Sequence, residues 1–235
     1  MAEVTLTPDY VWSQRSRTET SWTNAVTGAD TVFSAIPNFH TQTDRATHDG
    51  GTAFTCDRSY LNFSLSVLPS YHTITAVDLV LHGISDGVVD DDSEFLERKI
   101  VKATEPDLTT GAASPATWPE RDESITHGDY VTWNTDADNT FSFGTDLLNY
   151  VKVQHSSGLR CAFWLMNQLE LEDDTYTPSG GANATSWAGY AHVGAESEKP
   201  RLVITYTVGS PQIQSKNIQI GSGQLNIKGG TLTIK

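Results

Sequence analysis

Apolar and polar residues alternate along several short stretches of the chain, the period-two pattern of strands that bury one face. The alternation is clear in residues 58–65, which predicts a half-buried strand, and in residues 74–84, which predicts a second strong strand. Residues 159–167 are almost continuously apolar, which favours a central strand. Further strands are predicted in residues 4–12, 29–36, 98–104, 130–134 and 200–208.

Residues 145–153 are the one good helix candidate, with Thr145 placed to cap it and Leu147, Leu148 and Val151 on one side. Eight or more short strands with so little helix predict an all-β fold, a jelly-roll β-sandwich spanning residues 1–208. A parallel α/β fold would need a helix between successive strands, and such helices are missing from the pattern.

The pattern changes after Gly209 and Pro211. Apolar pairs now recur every seven residues, each pair followed by glycines or polar residues. A coiled coil would space apolar residues three and four apart, whereas here the spacing is two and five. Residues 209–235 are therefore predicted to form an oligomerising β-repeat tail shared by identical chains, three around an axis; the alternative is a tail that folds back onto its own body. The residues predicted to carry oligomerisation are Ile218, Ile220, Leu225, Ile227, Leu232 and Ile234.

Charge is distributed unevenly along the chain. The net charge is −14, which argues against a nucleic-acid partner because phosphate binding needs an excess of Lys and Arg. Residues 1–198 carry 10 basic and all 29 acidic residues, while residues 199–235 carry five basic residues and no acid. The basic tail is expected either to contact an acidic surface or to keep exposed strand edges from pairing.

Composition favours strands and gives no sign of membrane insertion. There are 30 Thr and 21 Ser among 235 residues, and β-branched and aromatic side chains suit a pleated surface. No apolar run approaches the roughly 18 residues of a transmembrane helix, and the first residues lack the pattern of a secretory signal, so synthesis in a cytoplasm is expected. Cys56 and Cys161 are interpreted as buried free thiols, with a disulfide left open.

Catalytic and metal-binding signatures are missing from the sequence. The seven His residues form neither HxH nor HExxH, and there is no GxSxG or phosphate-binding loop. A non-enzymatic protein without a cofactor is therefore expected. The acidic stretches at residues 90–94 and 170–174 lack the spacing of an EF-hand, so they are interpreted as solvated loops, with calcium binding as the alternative.

The six tryptophans supply the remaining candidates for a binding site. Trp133 and Trp164 are predicted to lie in the core. Trp118 and Trp187 fall in predicted loops, where an indole ring could stack on the apolar face of a sugar. They are therefore the candidate glycan contacts, with packing beneath a long loop as the alternative.

Several of these segments occur in an order that resembles a known module. The best-matched parts are the Arg-x-Tyr-Leu-x-Phe strand at residues 58–63, the Val-Thr-Trp sequence at 131–133, and Glu-x-x-x-Pro-Arg-Leu-Val-Ile-Thr-Tyr at 196–206. Across about residues 30–206 this order resembles the DNRLRE-type β-sandwich, a jelly roll of bacterial surface proteins and polysaccharide-active enzymes. Some of its relatives act as carbohydrate-binding modules.

The combination of a leaderless β-rich body and a β-repeat tail looks like a bacteriophage virion component. The resemblance implies a head fibre, tail fibre or capsid-decoration protein that forms a homotrimer and contacts other virion proteins, with a host-surface glycan as the candidate attachment ligand. The expected location is the virion, after synthesis in the host cytoplasm. The alternative is an extracellular carbohydrate-binding module or adhesin of a bacterial polysaccharide-utilising system.

Overall fold

The computed structural model of the chain describes residues 1–16, 21, 24, 31–34, 41–48, 54–69, 72–84, 97–103, 131–134, 136–167, 181–188 and 195–209. Most of the described elements are strands, so the fold is all-β, as predicted. The elements are β1 (Ala2–Leu6), β2 (Tyr10–Ser16), β3 (Thr31–Ser34), β4 (Thr41–His48), β5 (Phe54–Phe63), β6 (Thr73–His82), β7 (Glu97–Lys102), β8 (Val131–Thr132), β9 (Asp138–Ser142), α1 (Thr145–Ser156), β10 (Cys161–Asn167), β11 (Gly181–Ala188), a 3₁₀ turn (Glu196–Glu198) and β12 (Arg201–Thr207).

The strands form two sheets, and every pair of described strands is antiparallel. The smaller sheet has the order β1-β12-β6-β9. The larger sheet has the order β11-β4-β5-β10-β7-β8, with β2 also paired to β5 and β3 paired to β2. The first and last strands of the body are therefore neighbours in the smaller sheet.

Both sheets contribute side chains to one hydrophobic core. Leu79 of β6 and Ile204 of β12 belong to the same buried cluster as Phe63 of β5 and Phe163 of β10. The Phe163 ring lies 6.2 Å from the Phe63 ring and 4.9 Å from that of Phe143. The two sheets are thus joined by a shared apolar interior, which supplies most of the driving force for folding.

The larger sheet is buried on its second face as well. Tyr60, Val101, Trp164 and Met166 form a separate buried cluster there, in which the Tyr60 and Trp164 rings meet edge to face at 5.1 Å. The prediction that residues 58–65 form a half-buried strand is therefore wrong for β5, where even Arg58 is buried. Period-two alternation distinguishes the two faces of a strand, but it does not report whether the more polar face is also covered.

Strand β10 confirms the prediction of a central strand. It lies between β5 and β7, and all its residues from Cys161 to Met166 are buried. Trp164 in this strand and Trp133, which directly follows β8, are both buried as predicted. Continuous apolar sequence marks this strand because neither of its faces meets water.

Helix α1 is three residues longer than predicted and begins differently. Its N-cap residue is Gly144 rather than Thr145, and no side chain caps the first turn. Leu147 and Val151 are buried, and Leu148 packs partly buried against the core, so the predicted apolar side of the helix is confirmed. The helix ends because Gly158 adopts φ +68° and the Leu159 N–H donates to the carbonyl of Gln154, as in a Schellman motif.

Several strand boundaries differ from the sequence-based prediction. Residues 4–12 form not one strand but parts of β1 and β2, which lie in different sheets, with Pro8 in the connection. The polar strands β4, β9 and β11 were not predicted. In β9 the alternation is carried by the buried pair Asn139 and Phe141, and Asn139 is polar, which conceals the pattern.

The two cysteines do not form a disulfide with each other. Cys161 is opposite Phe63 in the β5–β10 register, and Cys56 lies seven positions earlier along β5. At about 3.4 Å per residue this places the two Cα atoms roughly 24 Å apart, far beyond disulfide range. Cys161 is a buried free thiol, as interpreted from the sequence.

The proposed tail lies outside the described residues, which end at Gly209. The division into residues 1–208 and 209–235, and the assignment of Ile218, Ile220, Leu225, Ile227, Leu232 and Ile234 to oligomerisation, remain predictions. The acidic stretches at residues 90–94 and 170–174 also lie outside the described residues.

Candidate functional site

A cleft of about 320 Å³ opens where helix α1 ends and strand β10 begins. Its walls come from the segment after β5 and from the turn that follows α1. Side chains of mixed chemistry line it: two hydroxyls, three leucines, an imidazole and a guanidinium. The lining residues are Ser64, Leu65, Ser66, Leu68, His155, Gly158, Leu159 and Arg160.

Arg160 is held at the edge of this cleft by two partners from other elements. Its guanidinium forms an ion pair with Asp9, in the connection between β1 and β2, and donates to Oδ1 of Asn62 at 3.0 Å. The Asp9 N–H in turn donates to the Asn62 carbonyl at 2.8 Å. These bonds fix the cation in place, so a ligand would meet a positioned donor rather than a freely rotating side chain.

The other polar groups of the cleft also bond within the body. The Ser64 hydroxyl donates to the Ser66 hydroxyl at 2.9 Å, and Nε2 of His155 lies 3.0 Å from the carbonyl oxygen of Leu68. His155 therefore faces a backbone carbonyl rather than a serine hydroxyl. The arrangement offers hydrogen-bond donors and apolar surface for binding.

A second polar cluster lies on the outer face of the smaller sheet. Asp138 of β9 accepts from Nδ1 of His82 at 3.0 Å, and its other carboxylate oxygen accepts from Arg201 of β12. Partial burial favours the neutral acid, but the hydrogen bonds from His82 and Arg201 outweigh it and hold the pKa of Asp138 below its usual value of 3.8. The cluster ties three neighbouring strands together across the face that points away from the core.

Of the two predicted glycan contacts, the structure describes the backbone of Trp187 alone. Trp187 was placed in a loop by the sequence, but the structure places it in β11, at the edge of the larger sheet, with Gln42 of β4 as its backbone partner. That prediction is wrong because Gly181–Ala188 has small polar residues and no apolar alternation. Trp118 lies outside the described residues.

Sequence reasoning did not identify the cleft. Its key ion pair joins residues 151 positions apart, and no local pattern signals such a contact. One signal in the sequence was the position of Arg160, directly before the apolar strand. A cation at the start of a buried strand needs either a polar partner or water, so its position indicates a candidate polar contact.

Metal binding and membrane crossing find no support in the described part of the chain. No group of three or more His, Cys, Asp or Glu there is arranged to hold a metal ion. No helix in the same residues combines the length and the apolar character needed to span a bilayer.

Comparison with known proteins does not assign a family. No protein-family model matches the chain, and no curated protein matches it with significant similarity.

Proposed function

We propose that this chain is a non-enzymatic phage virion structural protein, a head fibre, tail fibre or capsid-decoration protein. In this proposal residues 1–208 form a jelly-roll β-sandwich head, and residues 209–235 form a β-repeat tail that joins identical copies. The virion is its location, other virion proteins are its partners, and the head is available for attachment to a host surface.

The observation that carries the proposal is the position of strand β12. It pairs with β1 on one side and with β6 on the other, so its backbone hydrogen bonds are satisfied within the smaller sheet. The body is therefore built up to Thr207, and the seven-residue repeat follows its last strand. A segment with regular apolar pairs that follows a strand already paired on both sides needs further neighbours to bury those pairs.

The outer face of the smaller sheet also suits a displayed head. Thr5, Thr140 and Ser142 are exposed on this sheet, and Glu3 and Ala76 are exposed beside them. Such a surface, polar and without large apolar side chains, resists unwanted association between copies. Together with the net charge of −14, it favours a role in which the head meets solvent.

Deletion of residues 212–235 tests the assembly role. The full chain is expected to be a trimer by light scattering, and the truncated chain a soluble monomer. A substitution of Ile227→Asp should weaken assembly in the same way, whereas the matched control Asn226→Asp, which adds a charge at a polar position of the repeat, should not. A truncated chain of unchanged oligomeric mass would overturn the proposal.

A carbohydrate-binding role in an adhesin is the second proposal, and the cleft beside α1 favours it. The positioned guanidinium of Arg160 and the hydroxyls of Ser64 and Ser66 are groups that bond sugar hydroxyls and carboxylates. A glycan array probed with the full chain is expected to give hits that Ser66→Ala weakens, because this exposed hydroxyl lines the cleft. Trp118→Ala and Trp187→Ala test the two contacts expected from the sequence. An array without hits would remove this proposal and leave the assembly role untouched.

A further inference from the structure

Three of the exposed large apolar side chains of the described residues gather at one end of the body. Val67, Leu159 and Val208 are 61%, 53% and 65% exposed. Single exposed apolar residues are common on protein surfaces, but a group in one place indicates a contact surface. We call these three residues, with the cleft that Leu68 and Leu159 line, the exit surface.

The three residues lie near described residues of one connection, in which the His72 N–H donates to the Pro69 carbonyl at 3.0 Å. On one side, Nε2 of His155 lies 3.0 Å from the Leu68 carbonyl oxygen, which fixes the end of α1, and thus Leu159, beside it. On the other side, the His72 ring stacks on Tyr206 at 4.5 Å.

Strand β12 reaches the same place. Its last residue, Thr207, pairs with Thr73, so Val208 emerges at this end of the smaller sheet. Val67 directly precedes Leu68. The exit surface therefore comprises described residues of the β5–β6 connection, the end of α1 and the end of β12, which lie at the same end of the body.

The chain continues from this surface into residues 210–235. At about 3.4 Å per residue, Ile213 lies within roughly 17 Å of Val208, and the first apolar pair of the repeat follows a few residues later. A segment tethered so closely has a high effective concentration at the surface where it begins. It also carries three lysines and no acid, whereas residues 1–209 carry 12 basic and 29 acidic residues, so the two parts attract each other.

We propose that the exit surface is the docking site of the C-terminal segment, residues 210–235, whose apolar positions pack on Val67, Leu159 and Val208. The docking fixes the orientation of the body relative to the tail. It rests on the proposed division into head and tail, but not on the number of copies that assemble.

Site-specific photocrosslinking in the full chain tests the docking. A benzophenone amino acid replaces Leu159 in one variant and Thr140 in the matched control. Thr140 is an exposed residue of β9 and is opposite Val80, which lies seven positions along β6 from Thr73. After irradiation and digestion, mass spectrometry is expected to find crosslinks from position 159 to peptides within residues 210–235, and none from position 140. Crosslinks from position 159 only to residues 1–209, or to nothing, overturn the docking.

A second measurement is independent of the photoreactive side chain. Leu159→Asp should make tryptic cleavage after Lys216 severalfold faster, because the released segment becomes accessible, while Thr140→Asp should leave the rate unchanged. Equal cleavage rates in both variants and the wild type count against the docking. Light scattering separates the two proposals. If the protein is a monomer and position 159 crosslinks to residues 210–235, the assembly role alone is refuted. If the protein is an oligomer and position 159 crosslinks only to residues 1–209, the docking alone is refuted.

Discussion

His82 and Asp138 are directly opposite each other in strands β6 and β9, with Nδ1 of the histidine 3.0 Å from a carboxylate oxygen of the aspartate. Arg201 from β12 bonds the other carboxylate oxygen, so one carboxylate links three strands of the smaller sheet. The pair lies on the outer face of the smaller sheet, two positions along β6 from the buried Val80.

This relationship predicts a pH-dependent contribution to stability. Because hydrogen bonds from His82 and Arg201 overcome partial burial and lower the pKa of Asp138, the folded state holds the charged carboxylate more tightly than the unfolded state does. The stabilisation is therefore present above the ordinary pKa of 3.8 and is lost as the pH falls through the lower folded value. Since the group is partly exposed, Asp138→Asn should cost about 0.2–1 kcal/mol at pH 7.

Urea unfolding of the wild type and Asp138→Asn at pH 7 and near pH 3 measures this difference. The gap between the two proteins should narrow at the lower pH. Asp78→Asn removes a carboxylate from the neighbouring strand β6, outside the pair, and controls for the loss of one negative charge. An equal gap at both pH values would contradict the assignment.

Helix α1 provides a matched pair of substitutions for the core. Val151 is fully buried in the cluster shared by both sheets, whereas Val153, two residues later, is 60% exposed. Val151→Ala should lower the free energy of unfolding by about 1.5–3 kcal/mol, while Val153→Ala should change it by about 0.5 kcal/mol or less. Both substitutions alter helix propensity alike, so the difference in denaturant midpoints reports burial alone. Similar midpoints would show that α1 does not close the core.

Asn139 is predicted to be a structural residue despite its polar side chain. It is buried, its Oδ1 accepts from the Asn134 N–H at 2.7 Å, and its amide donates to the carbonyls of Asn134 and Ala137. Asn139→Ala should therefore cost about 1–3 kcal/mol, because it leaves buried backbone groups unpaired. Thermal unfolding measures the loss, with the exposed neighbour Thr140→Ala as control. A melting temperature equal to that of the control would contradict this role.

The segment around Asn139 also excludes a side chain at Gly83. A Cβ at this position would lie 2.0 Å from the carbonyl oxygen of Asn134, which is backbone and has little room to move. Gly83→Ala is expected to cost at least about 1–3 kcal/mol. At Gly158 nothing lies within 4 Å of such a Cβ, so Gly158→Ala should cost only about 1 kcal/mol, from its positive φ. Denaturant unfolding should rank the variants in that order, and the reverse order would refute it.

Cys161 is expected to be unreactive in the folded protein. Burial raises the pKa of its thiol, and the nucleophilic thiolate is therefore scarce as well as shielded. In a Cys56→Ser variant, a thiol-specific chromogenic disulfide should react slowly at pH 8 and rapidly after addition of denaturant. Rapid reaction without denaturant would show that β10 opens readily to solvent.

The sequence predicted those strands in which the apolar positions coincide with the buried positions. In β6 the buried Val77 and Leu79 flank the partly exposed Asp78, and β10 is apolar from Cys161 to Met166, so both strands were found. Strands β4 and β11 were missed because they pair chiefly with each other along a polar stretch, from Gly181 opposite His48 to Ala188 opposite Thr41. Backbone hydrogen bonding between two such segments leaves no trace in either one.

The cleft could not be predicted for a related reason. Arg160, Asp9 and Asn62 come from separate parts of the chain, and their proximity follows from β5 pairing with both β2 and β10. Periodicity identifies which residues share a face of one strand, but it does not specify which strands become neighbours. Trp118 and Trp187 were candidates because they fell in predicted loops, and for Trp187 that placement is wrong because it lies in β11. That either residue contacts a glycan remains a prediction.

The pairing of β1 with β12 determines when the smaller sheet can form. Ala2 is opposite Tyr206 and Leu6 is opposite Leu202, so the first strand to be synthesised waits for the last. Contacts between such distant segments slow folding, because the entropy of closing the intervening chain is lost before the contacts are gained. While the nascent chain grows, β6 and β9 can already pair, but Val4 and Leu6 stay uncovered and available for aggregation. Folding of the body should therefore finish only once Thr207 has left the ribosome.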